Sequence, residues 1–453
     1  MKRFILLVLL LCCWASPVLA NDLFSASGSL NFRGVVPSDH NGKTEYPSFL
    51  ARIEADAGTP TRFFHLCLNA GWDGTVDLPA QDDSILKNWN DVYQSTTPFL
   101  EFKELYAEYA TTLLDIRLGV QRFSWGRLDE YPINDLLNPW DYTRFLMRPL
   151  EDRKIGVPSL STRVVSGDWS AEAVWVPVFV PYRLPLLTER WAGASAIASL
   201  LDQTGAKLVT REPDHPASTL ANGSFGLRLH KVGPIEWGLN LFHGYDPRPV
   251  FKTTRFGVVP AGGHVYIDPG VEPDFHKITS LGVDMATAWN DWSFRAEAAY
   301  AVGRHFNTEQ EFWGYPTTLL PGSYPLHANE IKSDTVDYGV GVDYRLFEDC
   351  LLTGQAQQTL ILSRPGTIYH KEFETLIWVN LKNGFMNQKV ETNLNLAYNP
   401  EHGDTMARAN AWYVFTDAWK TGIAAVALSG PSQSLFGHYA ENDQVEVNVV
   451  YSW

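Results

Sequence analysis

The chain has 453 residues, a formal net charge of −15, 13% aromatic and 19% charged residues. This acidic balance excludes the basic footprint that a nucleic-acid-binding protein needs for phosphate contacts. Residues 1–20 predict a cleaved signal peptide, because Lys2 and Arg3 precede an apolar stretch and a small-residue cleavage site that ends at Ala20. Residues 21–453 are then expected to form one domain outside the cytoplasm.

Beyond residue 20, no apolar run approaches the roughly 18–20 residues of a spanning helix. Segments of about 10 residues alternate between apolar and polar instead, as tilted membrane strands do. In one of them, Val336, Tyr338 and Val340 oppose Asp337 and Gly339. The pattern predicts eighteen strands (a count of 16 is the lower bound). They begin near residues 23, 48, 61, 100, 112, 160, 169, 221, 235, 277, 291, 334, 350, 371, 388, 409, 421 and 443.

The predicted connections alternate in length along the chain. Short turns are expected at 58–60, 110–112, 167–168, 233–234, 290–291, 348–349, 383–384 and 420–421. The intervening connections are mostly longer and include 34–47, 72–99, 123–159, 179–220, 246–276 and 303–333. Long loops at one end predict an all-β fold: a transmembrane, antiparallel, up-and-down barrel with short periplasmic turns and long extracellular loops.

Aromatic residues recur near both ends of the predicted strands, as in the interfacial girdles of membrane barrels. Those near the short turns are Trp169, Trp237, Trp289, Trp292, Trp419 and Trp453, and those near the long loops are Tyr245, Tyr300 and Tyr398.

The connection over 123–159 is the most distinctive loop, with both charge signs, proline and tryptophan over roughly 37 residues. It contains Trp125-Gly126, Asp129 and an Asn138-Pro139-Trp140-Asp141 segment. This W-G-x-x-D…N-P-x-D pattern resembles a widespread family of large Gram-negative outer-membrane barrels of poorly characterised function and, more loosely, alginate-export-type barrels. The resemblance covers about forty residues and implies a porin-like barrel.

We predict that this loop folds into the barrel and narrows it. Opposed carboxylates and cations would then create a transverse field across the pore. A compatible alternative is that the same residues only pin the loop to the wall through salt bridges. The predicted constriction residues are Trp125, Asp129, Asp135, Asp141, Arg144, Arg148, Arg153 and Lys154.

The polar faces of the strands predict the wall of the lumen. The candidate wall residues are Asp115, Arg117, Arg228, Glu236, Arg295, Glu297, Asp337, Asp343, Arg345 and Glu391. An alginate-type exporter implies a strongly arginine-rich lumen for an acidic polymer. The mixed signs here argue against polyanion export.

The last strand alternates Val445, Val447 and Val449 with polar residues and ends in Tyr451 and Trp453. Such an aromatic terminus is expected to act as a signal to the barrel-assembly machinery.

The favoured function is an integral outer-membrane channel for the passive passage of small polar or charged solutes. Two alternatives stay open: a membrane-embedded enzyme, such as a hydrolase, and a sheath or partner for an export or electron-transfer complex. Lipid and lipopolysaccharide are the expected surroundings, no nucleic acid is expected, and homo-oligomerisation is left open. No cofactor or metal site is expected, since the histidines are scattered and Cys67 and Cys350 form no ligand motif.

Overall fold

A computed structural model describes residues 23–37, 47–72, 98–185, 190–192, 205–209, 216–217, 219–253, 255–268, 271–308, 322–325, 330–364, 370–432 and 434–453. The predicted signal peptide at 1–20 lies outside these residues. Among the described residues, no helix is long and apolar enough to cross a membrane.

Eighteen antiparallel strands form one closed barrel. Each strand pairs with the next barrel strand along the chain, and β1 pairs with β24 to close the ring. The barrel strands are β1 (Phe24–Pro37), β2 (Ser48–Thr59), β3 (Arg62–Trp72), β4 (Phe99–Ala110), β5 (Leu114–Gln121), β6 (Val157–Ser166), β7 (Trp169–Val176), β9 (Ser224–Lys231), β10 (Ile235–Tyr245), β15 (Lys277–Trp289), β16 (Trp292–Asn307), β18 (Glu330–Phe347), β19 (Cys350–Ile361), β20 (Phe373–Phe385), β21 (Val390–Asn399), β22 (Asp404–Val414), β23 (Trp419–Ser429) and β24 (Gln444–Ser452). The predicted count of eighteen and the predicted barrel are confirmed.

The connections between barrel strands contain short strands and helices. They are β8 (Lys207–Leu208), β11 (Val250–Thr253), β12 (Arg255–Ala261), β13 (His264–Asp268), β14 (Val271–Asp274) and β17 (Gly322–Pro325), the single-turn helix α1 (Leu150–Arg153), and the 3-10 helices η1 (Arg190–Ala192), η2 (Leu220–Asn222) and η3 (Gly437–Asn442). All of them, α1 included, lie in connections that leave the barrel at the long-loop end.

The period-2 pattern gives the barrel an apolar outer face and a polar inner face. On β24, Val445, Val447 and Val449 point outward and are 37–48% exposed, while Glu446 and Asn448 point inward and are buried. The strand alternation also turns all six tryptophans and all three tyrosines of the predicted girdles to the outer face.

Six of the eight predicted short turns are confirmed, and two are wrong. Residues 383–384 stay in β20 and 420–421 stay in β23; the turns are at 386–389 and 415–418. The Asn383-Gly384 pair is typical of a two-residue turn, but here Gly384 provides room for the side chain of Gln388. The other turn is stabilised by Thr416 Oγ1, which accepts hydrogen bonds from Ala418 N and Trp419 N.

Candidate functional site

The connection between β5 and β6, residues 122–156, lies inside the barrel, and we name it the inner loop. Asp152 pairs with Arg52 on β2, whereas the carboxylate of Glu297 on β16 accepts hydrogen bonds from the backbone at residues 127–134. β2 and β16 are the second and the eleventh strands of an eighteen-strand ring, so eight strands lie between them in either direction. The inner loop therefore spans the lumen from one wall to the opposite wall.

Glu297 is the main anchor on the β16 side, and its side chain is 3% exposed. Its carboxylate accepts hydrogen bonds from the backbone N–H groups of Arg127, Leu128, Ile133 and Asn134, and from the side-chain amide of Asn134. Consecutive backbone N–H groups of this kind form a concave anion site. The carboxylate of Glu297 on the barrel wall therefore occupies an anion-binding site formed by backbone N–H groups of the loop.

This anchor gives a physical reason for the Trp125-Gly126-x-x-Asp129 motif. Gly126 has a φ of +100°, and a Cβ there would lie 2.6 Å from a Glu297 oxygen, so only glycine fits. Trp125 is buried and donates its Nε1–H to Glu172 at 3.0 Å. Asp129 pairs with Arg295 at 2.7 Å. The motif fixes the entry of the loop into the lumen.

The Asn138-Pro139-Trp140-Asp141 segment joins the two ends of the inner loop. Asn138 is fully buried; its oxygen accepts from Phe123 N at 2.6 Å, and its amide donates to Gln121 O and Ile155 O. Asp141 accepts hydrogen bonds from Thr143 and pairs with Arg148 at 3.0 Å. The segment is therefore buried and connects the two ends of the inner loop by hydrogen bonds, which a simple surface turn would not do.

Several of the predicted constriction residues pair within the loop rather than across the lumen. Asp135 pairs with Lys154, which also donates to Phe123 O, and Asp141 pairs with Arg148. Arg153 pairs with Glu130, which is also a residue of the loop. Arg144 is buried, with 3% of its surface exposed. Burial raises the pKa of Asp135, against the opposing effect of Lys154. Asp129 pairs with the predicted wall residue Arg295, whereas the other ion pairs named above lie within the loop; these contacts favour the pinning role for most of the loop charges.

The strand register turns all ten predicted wall residues to the inner face. Four of them contact the inner loop: Arg228, Glu236, Arg295 and Glu297. Asp337 pairs with Arg304, Asp343 with Arg295, and Arg117 with Glu108. Asp115, Arg345 and Glu391 lie near the short-turn ends of their strands, and Arg345 and Glu391 are exposed.

Sequence reasoning missed Asp284, whose buried carboxylate pairs with Arg127 at 3.1 Å and Arg228 at 3.2 Å. The signal was present, because Asp284 falls between the outward-facing Val283 and Met285. It also missed Lys103, which donates to the carbonyls of Asp152 and Lys154. There β4 is bulged, so simple alternation fails.

Two apolar clusters hold the inner loop against the wall, in addition to the ion pairs. One joins Phe123, Trp125 and Leu137 to inward-facing residues such as Val174 and Phe242. The other joins loop residues 145–147 to inward-facing side chains of β20–β23 and to η1 and η3. The sequence signal was the loss of alternation, since 173–176 and 423–428 are apolar on both strand faces.

A cavity of about 200 Å³ remains beside the loop. Its charged lining comes from the loop residues Glu130, Asp135 and Arg153 and from Arg248, Arg304 and Asp337. Burial raises the pKa of two of its tyrosines, Tyr131 and Tyr142. The site can therefore present both charge signs and phenol hydroxyls to a small polar solute.

Cys67 and Cys350 lie on β3 and β19 and are both free thiols. The question of their pairing, which the sequence left open, is thus answered for this structure.

A closed eighteen-strand antiparallel barrel with an inner loop defines the class of fold that outer-membrane barrels have. Residues 81–366 match the family model described as "Protein of unknown function (DUF1302)". This match covers more than half of the chain, so the protein belongs to that family. No curated protein matches the sequence significantly.

Several solved structures are similar to this chain at low sequence identity. OccAB1 of Acinetobacter baumannii is similar with a TM-score of 0.50 and 8% identity, covering 95% of both chains. OccAB4 of the same organism has a TM-score of 0.49 and 9% identity, covering 95% of this chain and 98% of that chain. The outer membrane channel DcaP of A. baumannii has a TM-score of 0.42 and 7% identity, covering 95% and 97%. At such identities the similarity to OccAB1 concerns the fold alone.

Proposed function

We propose that this protein is an integral outer-membrane channel for the passive passage of small polar or charged solutes, and that the inner loop is its constriction. The observation that carries the proposal is the span of the loop between Arg52 on one wall and Glu297 on the opposite wall. A loop tied at both sides of a polar lumen sets the width of any path through it.

The two faces of the barrel support this location. Outward aliphatic side chains such as Leu239, Leu281 and Val447 are 44–60% exposed, which is unfavourable in water and favourable against lipid. The girdle tryptophans would lie at the headgroup level, with lipid and lipopolysaccharide as neighbours. The barrel-assembly machinery would recognise Tyr451 and Trp453.

The charges of the lumen support passage of solutes of both signs. Arg295 lies between Asp129 and Asp343 at 2.7 Å from each, and Arg304 lies 3.0 Å from Asp337. Such alternating charges orient dipolar solutes and offer a long acidic polymer no continuous basic path.

The test is single-channel recording on the purified barrel in planar bilayers. We expect the wild-type protein to conduct, and deletion of 128–156 to raise its conductance. Heat-dependent gel migration would establish that both forms are folded. A folded wild-type barrel without conductance would contradict the channel and favour the enzyme or sheath alternatives. Unchanged conductance in the folded deletion variant would contradict only the constriction.

A further inference from the structure

We propose that His276, His305 and Glu330 form a binding site for a divalent transition metal of the Zn²⁺ type at the rim of the barrel. One ligand atom from each side chain lies within 4.8 Å of the other two. His276 immediately precedes β15, His305 is near the end of β16, and Glu330 begins β18. Three successive barrel strands thus bring together residues that are far apart in sequence, at the long-loop end.

The local backbone orients His305 for this role. β16 is bulged between Ala301 and Arg304, and Gly303 in the bulge has a φ of +91°. The Nδ1 atom of His305 lies 3.0 Å from Gly303 O. Donation of the Nδ1 proton to this carbonyl leaves the Nε2 lone pair free, which is the arrangement that metal-binding histidines usually have.

The packing of the two rings provides a second observation. The imidazole rings of His276 and His305 stack with centroids 3.6 Å apart and an interplanar angle of 18°. This packing holds the two imidazole rings side by side within reach of Glu330, and imidazole nitrogen atoms are common ligands of transition metals.

The carboxylates complete the donor set. His276 Nε2 lies 2.6 Å from Glu330 and 4.0 Å from Asp274. Two imidazoles and one carboxylate form a common three-ligand set for Zn²⁺, and Asp274 or water can take the fourth position. Because a metal lies in the plane of each imidazole, its binding requires the stacked rings to rotate apart. Both rings are only partly buried, so the rim has room for that rotation.

An ion pair alone would explain the contact between His276 and Glu330. It would not explain why the ring of His305 stacks on that pair with its Nδ1 held by a backbone carbonyl. The bound ion would join the segment before β15 to β16 and β18.

The experiment is calorimetric titration of ZnCl₂ into the full-length barrel in detergent, produced without a polyhistidine tag and stripped with a chelator. We expect one equivalent of Zn²⁺ to bind to the wild type. His305→Ala and Glu330→Gln should each weaken binding by about tenfold or more. The matched control is His438→Ala, which removes an exposed histidine of η3 and should bind as the wild type does.

Absence of stoichiometric binding to the wild type would overturn the proposal, as would equal affinity in wild type and His305→Ala. Heat-dependent gel migration would show that each variant is folded, so that lost binding reports the site and not the barrel. X-ray absorption at the zinc edge gives an independent readout: two imidazole ligands are expected, and none would overturn the assignment.

Discussion

Replacement of Glu297 by glutamine should release the inner loop from one wall of the barrel. The wild-type carboxylate accepts five hydrogen bonds: one oxygen serves Arg127 N and Leu128 N, and the other serves Ile133 N and both nitrogens of Asn134. Glutamine keeps one acceptor oxygen and puts an amide donor in place of the other. At least two backbone N–H groups of the loop then face the NH₂ group of the glutamine and lose their hydrogen-bond acceptor.

The magnitude follows from those two groups. A buried N–H group without a partner costs about 1–3 kcal/mol, so Glu297→Gln should destabilise the docked loop by about 2–6 kcal/mol. Even the lower bound raises the population of the displaced loop roughly thirtyfold, since about 1.4 kcal/mol is a factor of ten. A displaced loop should give a larger and noisier single-channel current.

Two measurements check this prediction. Single-channel recordings should show the larger current, and trypsin should cleave the arginine-rich inner loop faster than in the wild type. The matched control is Glu391→Gln, the same substitution at an exposed carboxylate on the inner face of β21. Wild-type current and trypsin resistance in folded Glu297→Gln would refute the reasoning, and would mean that the two apolar clusters alone hold the loop.

Three further predictions concern single side chains. Asn138→Ala should loosen the inner loop by roughly 3 kcal/mol, because a buried N–H and two carbonyls lose their partner; the rate of trypsin cleavage measures this. Arg295→Gln removes the cation between two carboxylates, so the reversal potential in a KCl gradient should shift toward cation preference, and an unchanged potential would exclude Arg295 from the ion path. Burial acts to raise the pKa of Asp246, but Arg248 outweighs it and holds that pKa below its usual value. This ion pair should stabilise the rim above about pH 4 and be lost as the pH falls through the lowered pKa, so Asp246→Asn should reduce the loss of thermal stability on acidification.

The strands could be predicted because their pattern is local. Alternation along β24 or β18 reports at each residue whether a side chain meets an apolar or a polar environment, and eighteen such segments with long loops at one end define the barrel. The two misplaced turns, at 383–384 and 420–421, show where local rules fail. There the residues suit a turn, but pairing with the neighbouring strands extends β20 and β23 past them.

The inner loop could be predicted only in part. Its length and its charges marked it as distinctive, and Asp129 does meet Arg295. Its anchoring by Glu297 and Asp284 could not be predicted, because the partner atoms are backbone N–H groups and side chains more than 150 residues away.

The alternating pattern was enough to predict the barrel, its approximate strand number and its apolar outer face, because alternation is a local property of each strand. The pairing of the loop charges with each other or with the wall depends on tertiary contacts, so it could not be predicted. The meeting of His276, His305 and Glu330 at the rim depends on such contacts as well. The physical reason is that closing a ring of strands brings distant residues together through register and bulges, and a one-residue shift in either would send each side chain to the other face.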